Sequence, residues 1–318
     1  MRTPAALDAF LRMPFDARAQ AAMRMPLRAD DVVIATFPGS GTTWTQQICH
    51  GLRSAGDMGF AEITHVAPWI ELGHTMGIDV GAPQPFAPRL FKTHLDHPRV
   101  NQGARYIHVV RNPQDVVVSF YDFLSGAVFD PQAISLTTFV DVWLLADRLV
   151  EGDDTIPFGP YLCNYWRHLR GWWQARAQAP VLTIAYEHLR ADLSAHVASI
   201  ATFMGIDADA QTLDVATRQA SLPFMLANQH KFSERPRNTP LSLAKVKTRP
   251  PGTSRNRLGE AVARAIEAAW RRHLAPGLGF SSYEDLIAAL LPPASCPHPR
   301  HAPAWPQPDQ PILEAPNS

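Results

Sequence analysis

Residues 32–44 read VVIATFPGSGTTW. The apolar and β-branched run from Val32 to Thr36 is too short for a helix and ends at Pro38 and Gly39. It predicts a strand buried on both faces. The chain must then turn sharply, because Gly39 and Gly41 tolerate positive φ, and Thr42, Thr43 and Trp44 lead into a helix. Successive backbone N–H groups at such a turn, together with a helix N-terminus, make a nest for an anion. Ser40, Thr42 and Thr43 add hydroxyl donors, and the Trp44 indole is placed to stack on a purine. The spacing is not that of a GxxxxGK[ST] loop and the lysine of that loop is missing, which disfavours ATP or GTP hydrolysis. A Gly-Ser-Gly turn alone reads equally as an ordinary tight connection, so the rest of the chain has to say whether an anion binds here, and which.

Outward from this stretch, Arg89–Lys92, Tyr106–Val110 and Val181–Ala185 read as further buried strands, alternating with helical patterns. Leu193, Val197, Ile200 and Met204 recur at helical spacing before Gly205, and Val262, Ile266, Trp270 and Leu274 make a second stripe; both stripes read first as core packing. Alternation of this kind predicts βαβ units and a mainly parallel sheet. Residues 1–27 read as a helical lead-in, 28–290 as the folded domain, and 291–318 as a proline-rich tail for which no packed structure is expected. In an open parallel sheet ligands bind beyond the carboxyl ends of the strands. The polar residues that follow each strand are therefore the candidates.

The chain has 318 residues, with 29 Lys+Arg balancing 29 Asp+Glu. Such a balance offers no general attraction to nucleic acid or to an anionic membrane, so any anion site is local. Three widely spaced cysteines, Cys49, Cys163 and Cys296, fit neither a disulfide framework nor a zinc site. With no apolar leader and no run of about 18 apolar residues, the expectation is a soluble, cytoplasmic protein without membrane or nucleic-acid partners.

The second strand runs into a loop as RLFKTHLDHP. Lys92 and His94 alternate about Thr93 and so share one side if the strand continues. A neutral imidazole can take a proton from an attacking group while an ammonium stabilises developing negative charge. His94 and His97 are not accompanied by a carboxylate or cysteine pattern that completes a metal site. The third strand ends in YIHVVRNPQDVVVSFYDF. Asn112 is a good N-cap, Pro113 suits the first helical position and Asp115 the first turn. Arg111 at the strand end, with Ser119 two turns into the helix, makes a second candidate anion site, since a guanidinium binds phosphate bidentately. A structural salt bridge is the alternative for Arg111.

Taken in order, TFPGSGTTW, RLFKTHL, VVRNPQDVVVSFYDF and IAYEHL closely resemble the cytosolic-type sulfotransferase family across about residues 30–280. The resemblance implies an α/β fold with a P-loop-like central parallel sheet flanked by helices, and transfer of a sulfuryl group from 3′-phosphoadenosine 5′-phosphosulfate (PAPS) to a hydroxyl or amine of a small-molecule acceptor, with no obligatory metal. It places Gly39, Ser40, Gly41, Thr42 and Thr43 at the 5′-phosphosulfate, Trp44 against the adenine, Arg111 and Ser119 at the 3′-phosphate, and His94 and Lys92 in catalysis. Tyr186 matches the family tyrosine near adenine. Ser221 matches a family serine whose usual phenylalanine neighbour is Leu222 here. Two departures stand out. Gly39 occupies the position of a family lysine, and the late RKGxxGxWK segment is degraded to KTRPPGTSR, with Lys247, Thr248 and Arg249 on its RKG. Residues 228–257 nonetheless carry eight basic side chains against Glu234 alone, which suits a cover over a phosphate or simply a solvated loop. These departures motivate a second expectation, a PAPS- or adenosine 3′,5′-bisphosphate-binding sensor that has lost catalysis. Trp69, Phe86, Phe123, Phe129 and Trp143 are the candidates for an apolar acceptor pocket.

Overall fold

The protein is represented by a computed structural model that describes residues 1–146, 164–233, 245–246 and 253–290. Four strands, β1 Val32–Thr36, β2 Leu90–Thr93, β3 Arg105–Val110 and β4 Val181–Ala185, form one sheet in the order β2-β1-β3-β4. All three pairings are parallel, with Ala35 opposite Thr93 on one side and His108 on the other. The chain leaves β1 for one neighbour and later returns to pair on its other side. The carboxyl end of β1 is therefore the switch point at which a ligand is expected in such a sheet.

Both faces of the sheet are covered, which is why the strands read as continuous apolar runs. Val32, Ile34, Ile107 and Val109 pack on one side against Ile48, Cys49, Val197 and Ile200 from helices Thr42–Arg53 and Leu193–Met204. Val33, Ala35, Phe91 and Tyr106 point to the other side and meet Trp172 of helix Tyr165–Ala175. The predicted caps form: Asn112 accepts a hydrogen bond from the Gln114 amide at the start of helix Pro113–Leu124, and Gly205 ends its helix at a φ of 75°.

Two features differ from the sequence reading. The lead-in forms helices Pro4–Leu11 and Ala17–Met23, but it belongs to the core rather than preceding it. Leu7 and Leu11, one helical turn apart, are fully buried in a cluster with Val116, Phe139 and Trp270. The second is a short extended segment, 68–70, which lies along the free edge of β2: the Lys92 amide donates to Pro68 O at 2.8 Å and the Ile70 amide to Lys92 O at 2.9 Å. This pairing covers an edge that would otherwise be open and carries Trp69 and Glu71 to the end of β2. The 291–318 tail lies outside the described residues. Among the described residues no helix is long and apolar enough to cross a membrane.

Candidate active site

A cavity of about 480 Å³ opens at the carboxyl ends of the strands, lined among others by Gly39, Gly41, Thr42, Thr43, Trp44, His94, Arg111, Ser119, Tyr186 and Ser221. These come from the turn and helix start after β1, the loop after β2, the end of β3 and the helix after it, the helix after β4, and the N-cap of the later helix Leu222–Ala227. The topology thus gathers residues far apart in sequence.

The turn takes the expected shape, with Gly39 at φ 88° and Gly41 at φ 95°. A Cβ on Gly41 would lie 2.8 Å from Tyr186 Cδ2, so only glycine lets the turn approach that ring. Gly41 is also the N-cap of helix Thr42–Arg53 and offers no capping side chain. The first-turn amides of that helix therefore have no side-chain acceptor, and the helix end favours an anion. The amide of Ser40 is not part of this nest, because it closes the turn on Phe37 O at 3.1 Å. Ser40 itself is buried, with its Oγ lacking a hydrogen-bond partner. A buried hydroxyl without a partner is costly, and one in an anion loop fits a site completed by an oxyanion.

Arg111 reaches back to this turn, Nη1 donating to Gly39 O at 2.8 Å, while its guanidinium carbon lies 4.2 Å from the Tyr186 ring centroid. Its buried Nε has no hydrogen-bond partner. Tyr186 in turn meets Trp44 edge-on at 5.3 Å, and the Trp44 indole is anchored by Nε1 donating to Ala220 O at 2.7 Å. Ser221 begins a short helix, Leu222–Ala227, as its N-cap. The aromatic walls and the arginine are thereby held by contacts within the protein.

At the end of β2, His94 is nine-tenths buried and its Nδ1 lies 2.7 Å from the backbone oxygen of Thr36. A carbonyl only accepts, so Nδ1 carries the hydrogen and Nε2 holds the lone pair of the neutral ring. Glu71, fully buried, accepts from the His94 amide at 2.6 Å and from Thr93 Oγ1 at 2.9 Å. Burial raises its pKa, and those hydrogen bonds oppose the rise. Lys92 and His94 both converge on Trp69: the Lys92 ammonium sits 4.1 Å above the ring centroid and the His94 ring stands edge-on at 5.0 Å. Trp69 and His94 line the cavity, whereas Lys92 is buried behind the indole and does not.

Residues 29–276 match the family described as the sulfotransferase domain, well over half of the chain. The chain belongs to the sulfotransferase family. It is 29% identical over 210 residues to sulfotransferase 1A1 of Rattus norvegicus, a span of 63% of this chain and 68% of the relative. To an amine sulfotransferase of Oryctolagus cuniculus it is 30% identical over 207 residues, 63% of this chain and 64% of that one. Among solved structures, retinol dehydratase in complex with retinol and PAP superposes with a TM-score of 0.62 at 17% identity, over 83% of this chain and 87% of that one. A mouse sulfotransferase complexed with PAP gives 0.57 at 18%, over 87% and 94%. These structural likenesses establish the sulfotransferase fold. Family membership makes the protein a PAPS-dependent sulfotransferase of the cytosolic type.

The sulfotransferase departs from the sequence expectations in the acceptor pocket and in the described part of the basic stretch. Of the five aromatics expected in an acceptor pocket, only Trp69 and Phe123 line the cavity. Phe129 and Trp143 are buried in a cluster around Phe139, and Phe86 packs on His50. Lys247, Thr248 and Arg249 lie outside the described residues. The described part of the basic stretch is mostly engaged elsewhere: Arg255 pairs with Glu260 and Glu267, Arg257 with Asp122, and Lys231 donates to Met58 O and Phe60 O. Lys245 does line the cavity, its Nζ 5.5 Å from the Phe123 ring centroid. Sequence reasoning missed Thr36, Glu71 and Arg190, the last a basic side chain in the cavity wall. Nothing in APWIELG signals that Glu71 will meet β2, because an edge pairing of three residues has no periodicity to read. Among the described residues no group of three or more metal-ligating side chains is placed to hold an ion.

Proposed function

We propose that this sulfotransferase transfers the sulfuryl group of PAPS to a hydroxyl or amine of a small-molecule acceptor, with His94 as general base. The observation that carries the reading is the 2.7 Å contact of His94 Nδ1 with Thr36 O, which leaves Nε2 as the basic nitrogen of a residue lining the cavity. His94 takes the acceptor proton as the new oxygen–sulfur bond forms and the bond from sulfur to the phosphate oxygen breaks. When bound, PAPS supplies the activated sulfuryl group and leaves as adenosine 3′,5′-bisphosphate. The turn from Gly39 to Thr43 holds its 5′ side through the amides of Gly41, Thr42 and Thr43 and the hydroxyls of Ser40, Thr42 and Thr43; Trp44, Tyr186 and Ser221 hold its adenine, and Arg111 and Ser119 its 3′-phosphate. Ser40 Oγ and Arg111 Nε, both buried without partners, support that assignment. Lys92 stabilises the departing phosphate, which requires its ammonium to leave the face of Trp69 as the donor binds. Chemistry of this kind depends on positioning and electrostatics rather than covalent help. The acceptor rests against Trp69, Leu72, Met76 and Phe123, and the reaction takes place in the cytoplasm.

The test is His94→Ala. Removing a general base lowers turnover on the order of 100- to 10,000-fold, with affinity for adenosine 3′,5′-bisphosphate unchanged in calorimetry. Turnover within a few fold of the parent removes His94 from the mechanism.

A further inference from the structure

Behind the turn, Thr36 links Thr42 to His94, and no step above uses the Thr36 side chain. Thr36, the last residue of β1, is fully buried. Its Oγ1 is 2.6 Å from Thr42 Oγ1, in the anion-binding turn, and 3.5 Å from His94 Nδ1. Its backbone oxygen already accepts from the same Nδ1 at 2.7 Å. One residue thus brackets the back of the imidazole with two oxygens and touches the donor loop as well. We propose that Thr36 is a positioning residue that couples donor binding to His94.

The coupling follows from counting hydrogens, and it rests on the reading that Thr42 meets the donor's phosphate. Each hydroxyl has one proton, so in the 2.6 Å pair only one of the two can donate to the other. Without an anion either direction serves. Phosphate oxygens at neutral pH chiefly accept, so a bound donor draws the Thr42 hydrogen to itself. Thr42 Oγ1 must then accept from Thr36, and the remaining lone pairs of Thr36 Oγ1 turn toward His94 Nδ1–H. The ring gains a second acceptor at its back, in a buried setting where such a contact is stronger than in water. An imidazolium, which His94 becomes on taking the acceptor proton, benefits more than the neutral ring. Proton uptake by His94 is therefore favoured when the donor is in place. No bond other than hydrogen bonds changes in this step.

Thr36→Val keeps the shape and the backbone oxygen but removes the hydroxyl, and Thr36→Ser keeps the hydroxyl. The probe is adenosine 3′,5′-bisphosphate, added to each protein with the His94 ring followed by nitrogen-15 NMR. In the parent and in Thr36→Ser the His94 Nδ1 signals shift on saturation; in Thr36→Val they do not, although the probe binds within about threefold of the parent. With PAPS and an acceptor, Thr36→Val lowers kcat about tenfold at unchanged donor KM, the scale of one modest hydrogen bond to a developing charge, and adds nothing further to His94→Ala. A parent signal that stays still while the probe binds overturns the coupling, as does a Thr36→Val defect that persists in the His94→Ala background. Failure of the probe to bind the parent at all refutes instead the donor-site reading on which the coupling depends.

Discussion

Gly39 stands where the family carries a lysine, and sequence logic alone invites the change Gly39→Lys, above all to compensate a loss of Lys92. The structure argues against it. Gly39 has φ 88°, and a Cβ there would lie 3.0 Å from the backbone oxygen of Val116 in the first turn of helix Pro113–Leu124. A left-handed conformation costs a non-glycine residue roughly 1–2 kcal/mol, and the close contact with a backbone atom, which cannot swing away, adds to it. The turn must shift, loosening the bond from Arg111 Nη1 to Gly39 O. We expect a loss of about 2 kcal/mol, which for a chain of this size lowers the melting temperature by roughly 3 °C. Calorimetry of Gly39→Lys should show that drop, with weaker binding of adenosine 3′,5′-bisphosphate and no recovery of activity in a Lys92→Ala background. A variant that melts within a degree of the parent, binds the nucleotide more tightly and rescues Lys92→Ala would refute the reasoning and show that the turn accepts a side chain.

Arg111→Ala should weaken adenosine 3′,5′-bisphosphate roughly 10- to 100-fold, the scale of a charge-assisted contact, and adenosine 5′-monophosphate much less; equal losses in calorimetry would mean that Arg111 serves the turn through Gly39 O and not the 3′-phosphate. Acid should destabilise the protein early. Burial, then the nearby Arg53, pulls the His50 pKa down to about 4; burial, then Arg176, pulls His108 down to about 3; and burial, then the neighbouring His108 and His94, holds His168 well below the usual value. Each folded pKa is depressed, so these rings are neutral in the fold and protonate only on unfolding. Their contribution is complete above about pH 6.5 and is lost as pH falls toward the folded values, about 1 kcal/mol each for His50 and His108 between pH 6.5 and 5.5, with His168 acting in the same direction. Denaturant midpoints that stay level across that interval would contradict it.

The sheet was legible because its strands are buried on both faces and so read as unbroken runs such as VVIAT, with the turn after β1 marked by Gly39 and the helix after β3 by Asn112. Placing the site required only the rule that loops at the carboxyl ends gather around the switch strand. Other features were closed to the sequence for identifiable reasons. Leu7 and Leu11 look like any amphipathic helix, and only packing shows that they complete the core. Phe129 and Trp143 have the composition of a pocket wall but face Phe139. Lys92 alternates with His94 as predicted, yet its long side chain folds onto Trp69, whose approach depends on the short edge pairing of 68–70. The hydroxyl contact from Thr36 to Thr42 joins residues on either side of the turn, and only the turn's closure brings them together.

The most direct measurement is turnover. Purified protein is incubated with PAPS and a broad panel of phenols, alcohols and amines, and both the sulfated product and adenosine 3′,5′-bisphosphate are quantified by mass spectrometry. We predict that at least one acceptor is sulfated, that the nucleotide appears in equal amount, and that both signals vanish in His94→Ala. Tight binding of adenosine 3′,5′-bisphosphate with no member of the panel sulfated would contradict a catalytic role and leave a nucleotide-binding protein built on the sulfotransferase fold.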